Sequence, residues 1–231
     1  MSAEMKITKS PENQRAIELT SEIGIETLGL MTSQAWYDDP RGLLFSLARY
    51  KFVAKMLRGK KNVLEVGCGD AFHSRLVQQE VEKLSVTDHD PLFIEDISRR
   101  NPARWKPVAF AHNMCDGPTK ETYDAIYLVD VFEHIDQATE GRFLGNILKS
   151  LDDDGMLIIG MPSIQSQLYA SELSKQGHVN CKSGDELREL LEPVSSQVMV
   201  FSMNDEVVHT GYFPMAHYLI AVACINKRKK T

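Results

Sequence analysis

The chain has 231 residues, of which 43% are hydrophobic and 25% charged, so its length and composition favour one globular domain with a substantial core. The formal net charge of −6 disfavours a broad nucleic-acid surface, because phosphate binding requires positive charge, and the one basic cluster, at residues 227–230, is typical of a solvated tail. There is no apolar run of membrane-spanning length and no secretory signal at the start, so we expect a cytoplasmic protein without a membrane anchor. The four cysteines form no CxxC pair, so we expect neither a disulfide framework nor a zinc ribbon.

In chain order, the first 20 or so residues are polar, and residues 36–41 are aromatic, charged and loop-like. Apolar residues at steps of three and four then predict a helix over residues 41–57, with Pro40 suited to its start. Apolar runs predict strands over residues 62–66, 83–87, 107–111, 123–129 and 155–160. Helical segments are predicted over residues 71–79, after Pro91, and over residues 139–151. This alternation indicates right-handed βαβ units and a mainly parallel sheet.

The end of the chain has a different pattern. The sequence SGDE at residues 183–186 is a capping box that opens a short helix through Leu191. Two strand-like segments, residues 197–203 and 213–225, follow without a helix between them, so we expect them to pair antiparallel. We expect a single domain over residues 1–231, with a helical cap at 1–60 and a Rossmann-like core at 61–231.

A glycine-rich turn follows the first predicted strand and marks a candidate cofactor site. Gly67 and Gly69 allow the backbone to approach a ligand closely. Glu65 lies inside the apolar strand, where a carboxylate is costly without a partner. Asp88 ends the next strand, where an acid can accept both hydroxyls of an adenosine ribose. A dinucleotide site would need glycine instead of Phe72, and an ordinary strand-to-helix turn is the remaining alternative.

The sequence LEVGCG at residues 64–69 closely resembles motif I of the class I S-adenosylmethionine-dependent methyltransferases, and the resemblance extends over about residues 45–165. It implies an α/β, Rossmann-like fold with a seven-stranded, mostly parallel sheet, helices on both faces and a C-terminal antiparallel hairpin. It also implies S-adenosyl-L-methionine as the cofactor. The residues assigned to this cofactor are Glu65, Gly67, Cys68, Gly69, Asp88, His89, Asn113, Met114 and Asp130.

One residue of this set departs from the family pattern, and two further residues extend the set. Asn113 stands beside the adenine where the family commonly has Asp, although its side chain still offers a donor and an acceptor. Ahead of motif I, Tyr37 and Arg49 are further candidates, and Arg49 is suited to pair with the methionine carboxylate. An ordinary surface arginine is the alternative interpretation of Arg49.

The sequence DVFEHI at residues 130–135 resembles motif IV of the same family. If a helical turn follows Asp130, then Asp130, Glu133 and His134 share one face. Metal-dependent O-methyltransferases of ubiquinone biosynthesis and of small-RNA 2′-O-methylation have an acid, a Glu-His pair and a later histidine in this relation, which His178 would complete. The resemblance thus predicts Mg²⁺ or another divalent ion at these four residues. Without metal, Glu133, His134 and His178 are the catalytic candidates, with a histidine as general base; structural packing of the strand end is the alternative.

The C-terminal third carries polar segments at residues 162–167, 202–206 and 209–212, with few basic residues. This composition favours a small neutral acceptor, such as a saccharide or nucleotide-linked sugar, and the overall pattern is similar to that of methyltransferases found with bacterial surface-polysaccharide genes. We therefore expect O-methylation. The alternatives are N-methylation of a small amine and a cofactor-binding subunit without catalysis. No oligomeric state is indicated by the sequence.

Overall fold

The computed structural model describes residues 6–100 and 105–227. The basic residues 228–230 of the tail lie outside the described residues. The helices are α1 (Gln14–Ile23), α2 (Leu30–Asp38), α3 (Pro40–Met56), α4 (Ser74–Gln78), α5 (Pro91–Arg99), α6 (Gln137–Ser150), α7 (Glu172–Gly177) and α8 (Gly184–Leu191). The strands are β1 (Asn62–Val66), β2 (Lys83–Asp88), β3 (Val108–Ala111), β4 (Tyr123–Val129), β5 (Leu151–Pro162), β6 (Ser195–Asn204), β7 (Val207–His209) and β8 (Tyr218–Ile225).

The strands form one sheet in the order β3-β2-β1-β4-β5-β8-β6-β7. The first five pair in parallel, and β8 lies antiparallel between β5 and β6. The parallel core and the antiparallel C-terminal pair are therefore confirmed. Because β1 and β4 are central neighbours, the turns after them meet at one edge of the sheet, where ligands of open α/β sheets bind.

The predicted number of seven strands is wrong, since the described residues form eight. The additional strand, β7, pairs antiparallel with the end of β6. A tight turn joins them, in which Asp205 adopts a positive φ of 50°, a conformation that Asp tolerates better than most residues. Strand β8 also starts later than predicted, because Phe213–Met215 forms a 3-10 turn around Pro214, which has no N–H for a strand ladder.

The expected loop at residues 36–41 is also wrong in part, because Trp36 and Tyr37 lie on α2. Contacts that are distant in sequence hold this helix: the backbone N–H and the hydroxyl of Thr32 both donate to Asp70, at 2.7 and 3.1 Å. The division into a cap over residues 1–60 and a core over 61–231 stays a prediction.

Helices cover both faces of the sheet, and strand residues alternate between two apolar clusters. On β4, Ile126 and Leu128 pack into the cluster that contains α6 and α8, whereas Tyr127 packs into the cluster that contains α3 and α4. Each buried leucine or isoleucine contributes about 1.5–3 kcal/mol to folding, so the two clusters fix the register of the strands. None of the described helices has the length and apolar composition needed to cross a bilayer.

Candidate functional site

The glycine-rich turn after β1 is held against the end of β2. Gly67 and Gly69 have positive φ angles of 73° and 51°. The N–H groups of Gly67 and Cys68 both donate to the carbonyl of Thr87, at 2.8 and 3.0 Å. A Cβ on Gly67 would lie 2.3 Å from a methyl carbon of Val131, so only glycine fits this position without a shift of its neighbour.

Asp88 organises the same turn from the end of β2. Its carboxylate is 6% exposed and accepts the N–H groups of Gly69 and Asp90, at 2.9 and 3.0 Å. Each carboxylate oxygen has a second lone pair, so Asp88 keeps acceptor capacity beyond these two hydrogen bonds. The neighbouring His89 has a largely exposed ring, with Nδ1 3.3 Å from Asp88 Oδ1.

Glu65 is fully buried beneath the turn. Its two oxygens accept the hydroxyls of Tyr50 and Tyr127, at 2.6 and 2.7 Å. Burial raises the pKa of Glu65 to about 7, although these hydrogen bonds oppose the rise. Tyr50 lines the cavity described next, so Glu65 positions a wall of the site without lining it.

A cavity of about 190 Å³ lies between the glycine-rich turn and the N-terminal helices. The turn and the strand ends contribute Gly67, Cys68, Gly69, Asp70, Val129 and Asp130, and α2 contributes Met31, Thr32 and Ala35. Its volume is below the roughly 300 Å³ at which small-molecule sites usually begin. The residues that α2 contributes to the lining therefore limit the volume of the cleft at the ends of the strands.

Of the expected cofactor residues, only Gly67, Cys68, Gly69 and Asp130 line this cavity. Glu65, Asp88, His89 and Arg49 lie outside its lining, and the other three, Tyr37, Asn113 and Met114, have different surroundings. Tyr37 is 88% exposed. The side chain of Asn113 accepts the N–H of Cys115 at 2.8 Å. Met114 is buried in the core, where its carbonyl accepts the side-chain amide of Asn146 at 2.8 Å.

Arg49 and Asp130 form an ion pair at the edge of the cavity. Arg49 Nη1 lies 2.7 Å from Asp130 Oδ2, and the guanidinium lies 3.8 Å from the ring centre of Tyr218. Burial opposes the charge of Arg49, but the combined effect of Asp130, Tyr218 and Glu133 is larger, so the pKa of Arg49 is raised. Arg49 Nε is buried and has no hydrogen-bond partner in the described part of the chain.

A helical turn does follow Asp130, but Asp130 itself is not part of it. Asp130 adopts a φ of 58°, and the 3-10 turn Phe132–His134 follows it. Asp130 is consequently directed to Arg49, and the structure does not bring it into the cluster formed by the other three predicted metal ligands.

That cluster consists of Glu133, His134 and His178, and one ligand atom from each lies within 4.8 Å of the others. Two contacts bring His178 to the motif: His134 Nδ1 lies 2.9 Å from the Gly177 carbonyl, and the N–H of Asn180 donates to the Glu133 carbonyl at 3.0 Å. The expectation that His178 folds back to the Glu-His pair therefore agrees with the geometry.

Glu133 has the most unusual environment in the cluster. Its side chain is fully buried, and neither carboxylate oxygen has a hydrogen-bond partner among residues 6–100 and 105–227. Burial raises its pKa well above the ordinary value, and the charge of Asp130 raises it further. A buried carboxyl group without a partner is costly, so this group is arranged to receive a cation or a proton.

Each histidine of the cluster has an acceptor oxygen at Nδ1, the Gly177 carbonyl for His134 and Gln167 Oε1 for His178, both at 2.9 Å. His134 Nδ1 faces a carbonyl oxygen, which can only accept, so the proton lies on Nδ1 and the lone pair on Nε2. Burial lowers the pKa of His178, and the neighbouring His134 lowers it further. The lowered pKa keeps the imidazole of His178 neutral near pH 7. The cluster thus offers two imidazole lone pairs and one carboxyl group.

Sequence reasoning missed Tyr127, Tyr218 and Gln167. The two tyrosines lie on apolar strands, where the pattern predicts only core packing, and their polar contacts depend on the pairing of distant elements. Gln167 belongs to a polar segment whose composition favours acceptor binding, and nothing in the sequence indicates its contact with His178.

Comparisons with known proteins identify a matching family and similar folds. A family model described as a methyltransferase domain matches residues 40–194, about two thirds of the chain. The mitochondrial ubiquinone biosynthesis O-methyltransferase of Schizosaccharomyces pombe is 22% identical over 142 residues, which are 55% of this chain and 50% of that protein. The chain therefore matches half the length of this relative.

Solved structures share the fold. The N-methyltransferase NodS from Bradyrhizobium japonicum WM9 has a TM-score of 0.58 at 18% identity, over 82% of this chain and 99% of NodS. NodS in complex with S-adenosyl-L-homocysteine has a TM-score of 0.56 at 17% identity, over 81% and 86% of the two chains. A TehB-like S-adenosylmethionine-dependent methyltransferase from Corynebacterium glutamicum has a TM-score of 0.61 at 20% identity, over 84% and 96%.

Proposed function

Because this chain belongs to the class I family of S-adenosylmethionine-dependent methyltransferases, we propose that it methylates a hydroxyl oxygen of a small polar acceptor, in particular a saccharide or a nucleotide-linked sugar. The observation that carries the proposal is the cluster of Glu133, His134 and His178, which begins three residues after the cavity residue Asp130. A hydroxyl stays protonated at neutral pH and therefore needs such groups, whereas an amine needs only its neutral form.

The cofactor occupies the cavity in this proposal. The ribose hydroxyls bind the free lone pairs of Asp88, and the backbone of Gly67 and Gly69 lies along the ligand. Arg49 and Asp130 offer one positive and one negative group, which complement the carboxylate and the ammonium of the methionine part. Asn113 and Met114, which lie outside the present cavity, would flank the adenine. Because that cavity is small, α2 would have to shift to admit the whole cofactor.

The cluster also suits a divalent metal ion. Two imidazoles and one carboxylate are the ligand set of many zinc and non-haem iron sites, whereas Mg²⁺ prefers oxygen ligands. Of the divalent ions that the resemblance implies, a borderline transition metal therefore fits Glu133, His134 and His178 better than Mg²⁺ does, and Asp130 stays with Arg49. When bound, such an ion lowers the pKa of a coordinated hydroxyl and orients it. The unpartnered, buried oxygens of Glu133 support this fit.

A metal-free reaction is the second candidate for the same site. The lowered pKa of His178 keeps a neutral imidazole with a lone pair near pH 7, which is what a general base requires. Glu133 then holds a proton, in agreement with its raised pKa. A cofactor-binding subunit without catalysis has no need of this cluster.

The acceptor lies over the loops that follow β5 and precede β8. Tyr169 and Tyr212 expose 90% and 73% of their surface there, and flat aromatic rings bind the C–H faces of sugars. These two exposed rings support a sugar-containing acceptor.

The test is a transfer assay with methyl-labelled S-adenosylmethionine against a panel of nucleotide sugars, oligosaccharides and small amines. The proposal expects label in an O-methyl sugar. Label in N-methyl products alone would contradict the hydroxyl acceptor. Adding a chelator separates the two mechanisms: loss of transfer with retained cofactor binding supports the metal, and full transfer supports the histidine base.

A further inference from the structure

The side chain of Gln167 connects His178 to the end of β5. Its Oε1 lies 2.9 Å from His178 Nδ1. Its Nε2 lies 3.2 Å from Ser166 Oγ and 3.4 Å from the carbonyl oxygen of Ser163. Because the carbonyl can only accept, the amide nitrogen must face the serines and the amide oxygen must face the imidazole. His178 therefore carries its proton on Nδ1 and its lone pair on Nε2.

The groups that bind the side-chain amide of Gln167 are themselves held by hydrogen bonds. Ser163 is fully buried, its hydroxyl donates to the Ala216 carbonyl at 2.6 Å, and the same oxygen accepts the N–H of Ser166 at 3.1 Å. The hydroxyl of Ser166 donates to the Ser163 carbonyl at 2.7 Å. Gln167 is thus tied, through two serines, to the end of β5 and to the segment that precedes β8.

We infer that Gln167 is a positioning residue that fixes His178 in the Nδ1–H form, so that Nε2 is free to accept a proton or a metal ion. The catalytic purpose of this proton position rests on the proposed function. The proton position itself does not depend on that function and can be measured without it. His134 obtains the same form from the Gly177 carbonyl. Neutral histidine in water prefers the proton on Nε2, so two histidines of one cluster in the opposite form indicate that the fold imposes it.

The direct test is ¹⁵N NMR of the histidine rings in the wild-type protein at about pH 8, where the neutral imidazole dominates. His178 is assigned by comparison with His178→Asn. We expect His178 in the Nδ1–H form, and a wild-type ring with its proton on Nε2 would overturn the inference. This measurement needs neither activity nor a folded Gln167 variant, so it can succeed or fail independently of the proposed function.

The variants test whether Gln167 is the cause. Gln167→Leu should shift the His178 proton toward Nε2 and lower kcat about 10- to 100-fold, with KM for S-adenosylmethionine unchanged. Gln167→Glu keeps an acceptor oxygen and should restore the Nδ1–H form. Gln165→Leu, on the same 3-10 turn, is the matched control and should leave the ring unchanged. An Nδ1–H ring that persists in Gln167→Leu would refute the role.

Titration with Co²⁺ alone distinguishes the two proposals. Weaker Co²⁺ binding by Gln167→Leu than by wild type supports both the metal site and the positioning role. A wild-type protein that binds no Co²⁺, but holds His178 in the Nδ1–H form, would contradict the metal and still support Gln167 as the residue that prepares a base.

Discussion

Replacing Glu65 by glutamine should remove a pH dependence from the stability of this protein. The pKa of Glu65 is about 7 in the folded state, against an ordinary value of 4.5. The folded state therefore holds a proton that the unfolded state releases within this interval. As pH rises from 4.5 through 7, the free energy of unfolding falls, and above the folded pKa the contribution is lost.

The magnitude follows from these two values. One pKa unit corresponds to about 1.4 kcal/mol, so the whole shift amounts to about 3 kcal/mol. Between about pH 6 and about pH 8.5, Glu65 alone should lower the free energy of unfolding by about 1.4 kcal/mol. Glutamine keeps the shape and one acceptor oxygen toward Tyr50 or Tyr127, but it carries no titratable proton.

Urea unfolding of the wild type and of Glu65→Gln at both pH values measures the contribution of Glu65 to the pH dependence of stability, because all other titrating groups are common to the two proteins. The variant should gain stability relative to wild type as pH rises. The exposed Glu189→Gln is a control for the lost charge. A stability difference between wild type and Glu65→Gln that is the same at both pH values would refute the reasoning.

Three further substitutions test the cofactor site. Asp88→Ala should weaken S-adenosylhomocysteine binding about 10- to 100-fold in calorimetry through loss of a charged acceptor, and an unchanged Kd would exclude the ribose contact. Gly67→Ala should lower the free energy of unfolding by about 2–4 kcal/mol because of its positive φ and its clash, whereas Gly145→Ala, with open space around it, should not destabilise the protein. Arg49→Ala should weaken S-adenosylhomocysteine about tenfold or more but leave methylthioadenosine, which lacks the amino-acid part, nearly unaffected; equal losses for both ligands would contradict the carboxylate contact.

Much of the fold could be predicted because its signals are local. The strand at Tyr123–Val129 has the predicted bounds, and the capping box at Ser183 opens its helix as expected. Strand β7 was missed because three residues are too few to show a period of two. Helix α2 was missed because its position depends on Thr32 meeting Asp70, a contact between residues far apart in the sequence.

Part of the candidate site could likewise be predicted from local sequence signals, and part of it could not. The spacing of Gly67, Gly69 and Asp88 identifies a turn whose hydrogen bonds join neighbouring strands, and such spacing is visible in sequence. The pairing of Asp130 with Arg49 was not visible, because it depends on a left-handed residue and on where α3 packs. The contact between Gln167 and His178 depends on how a long loop returns to the sheet edge, which no local pattern specifies.

Calorimetric titration of the wild-type protein with S-adenosylhomocysteine, with NAD⁺ as the comparison ligand, tests the central claim most directly. The geometry of the glycine-rich turn and Asp88 predicts saturable binding of S-adenosylhomocysteine in the micromolar range and no binding of NAD⁺, because Phe72 stands where a pyrophosphate site needs glycine. Absence of S-adenosylhomocysteine binding, or tight binding of NAD⁺, would contradict the assignment of this cleft to the methyl donor.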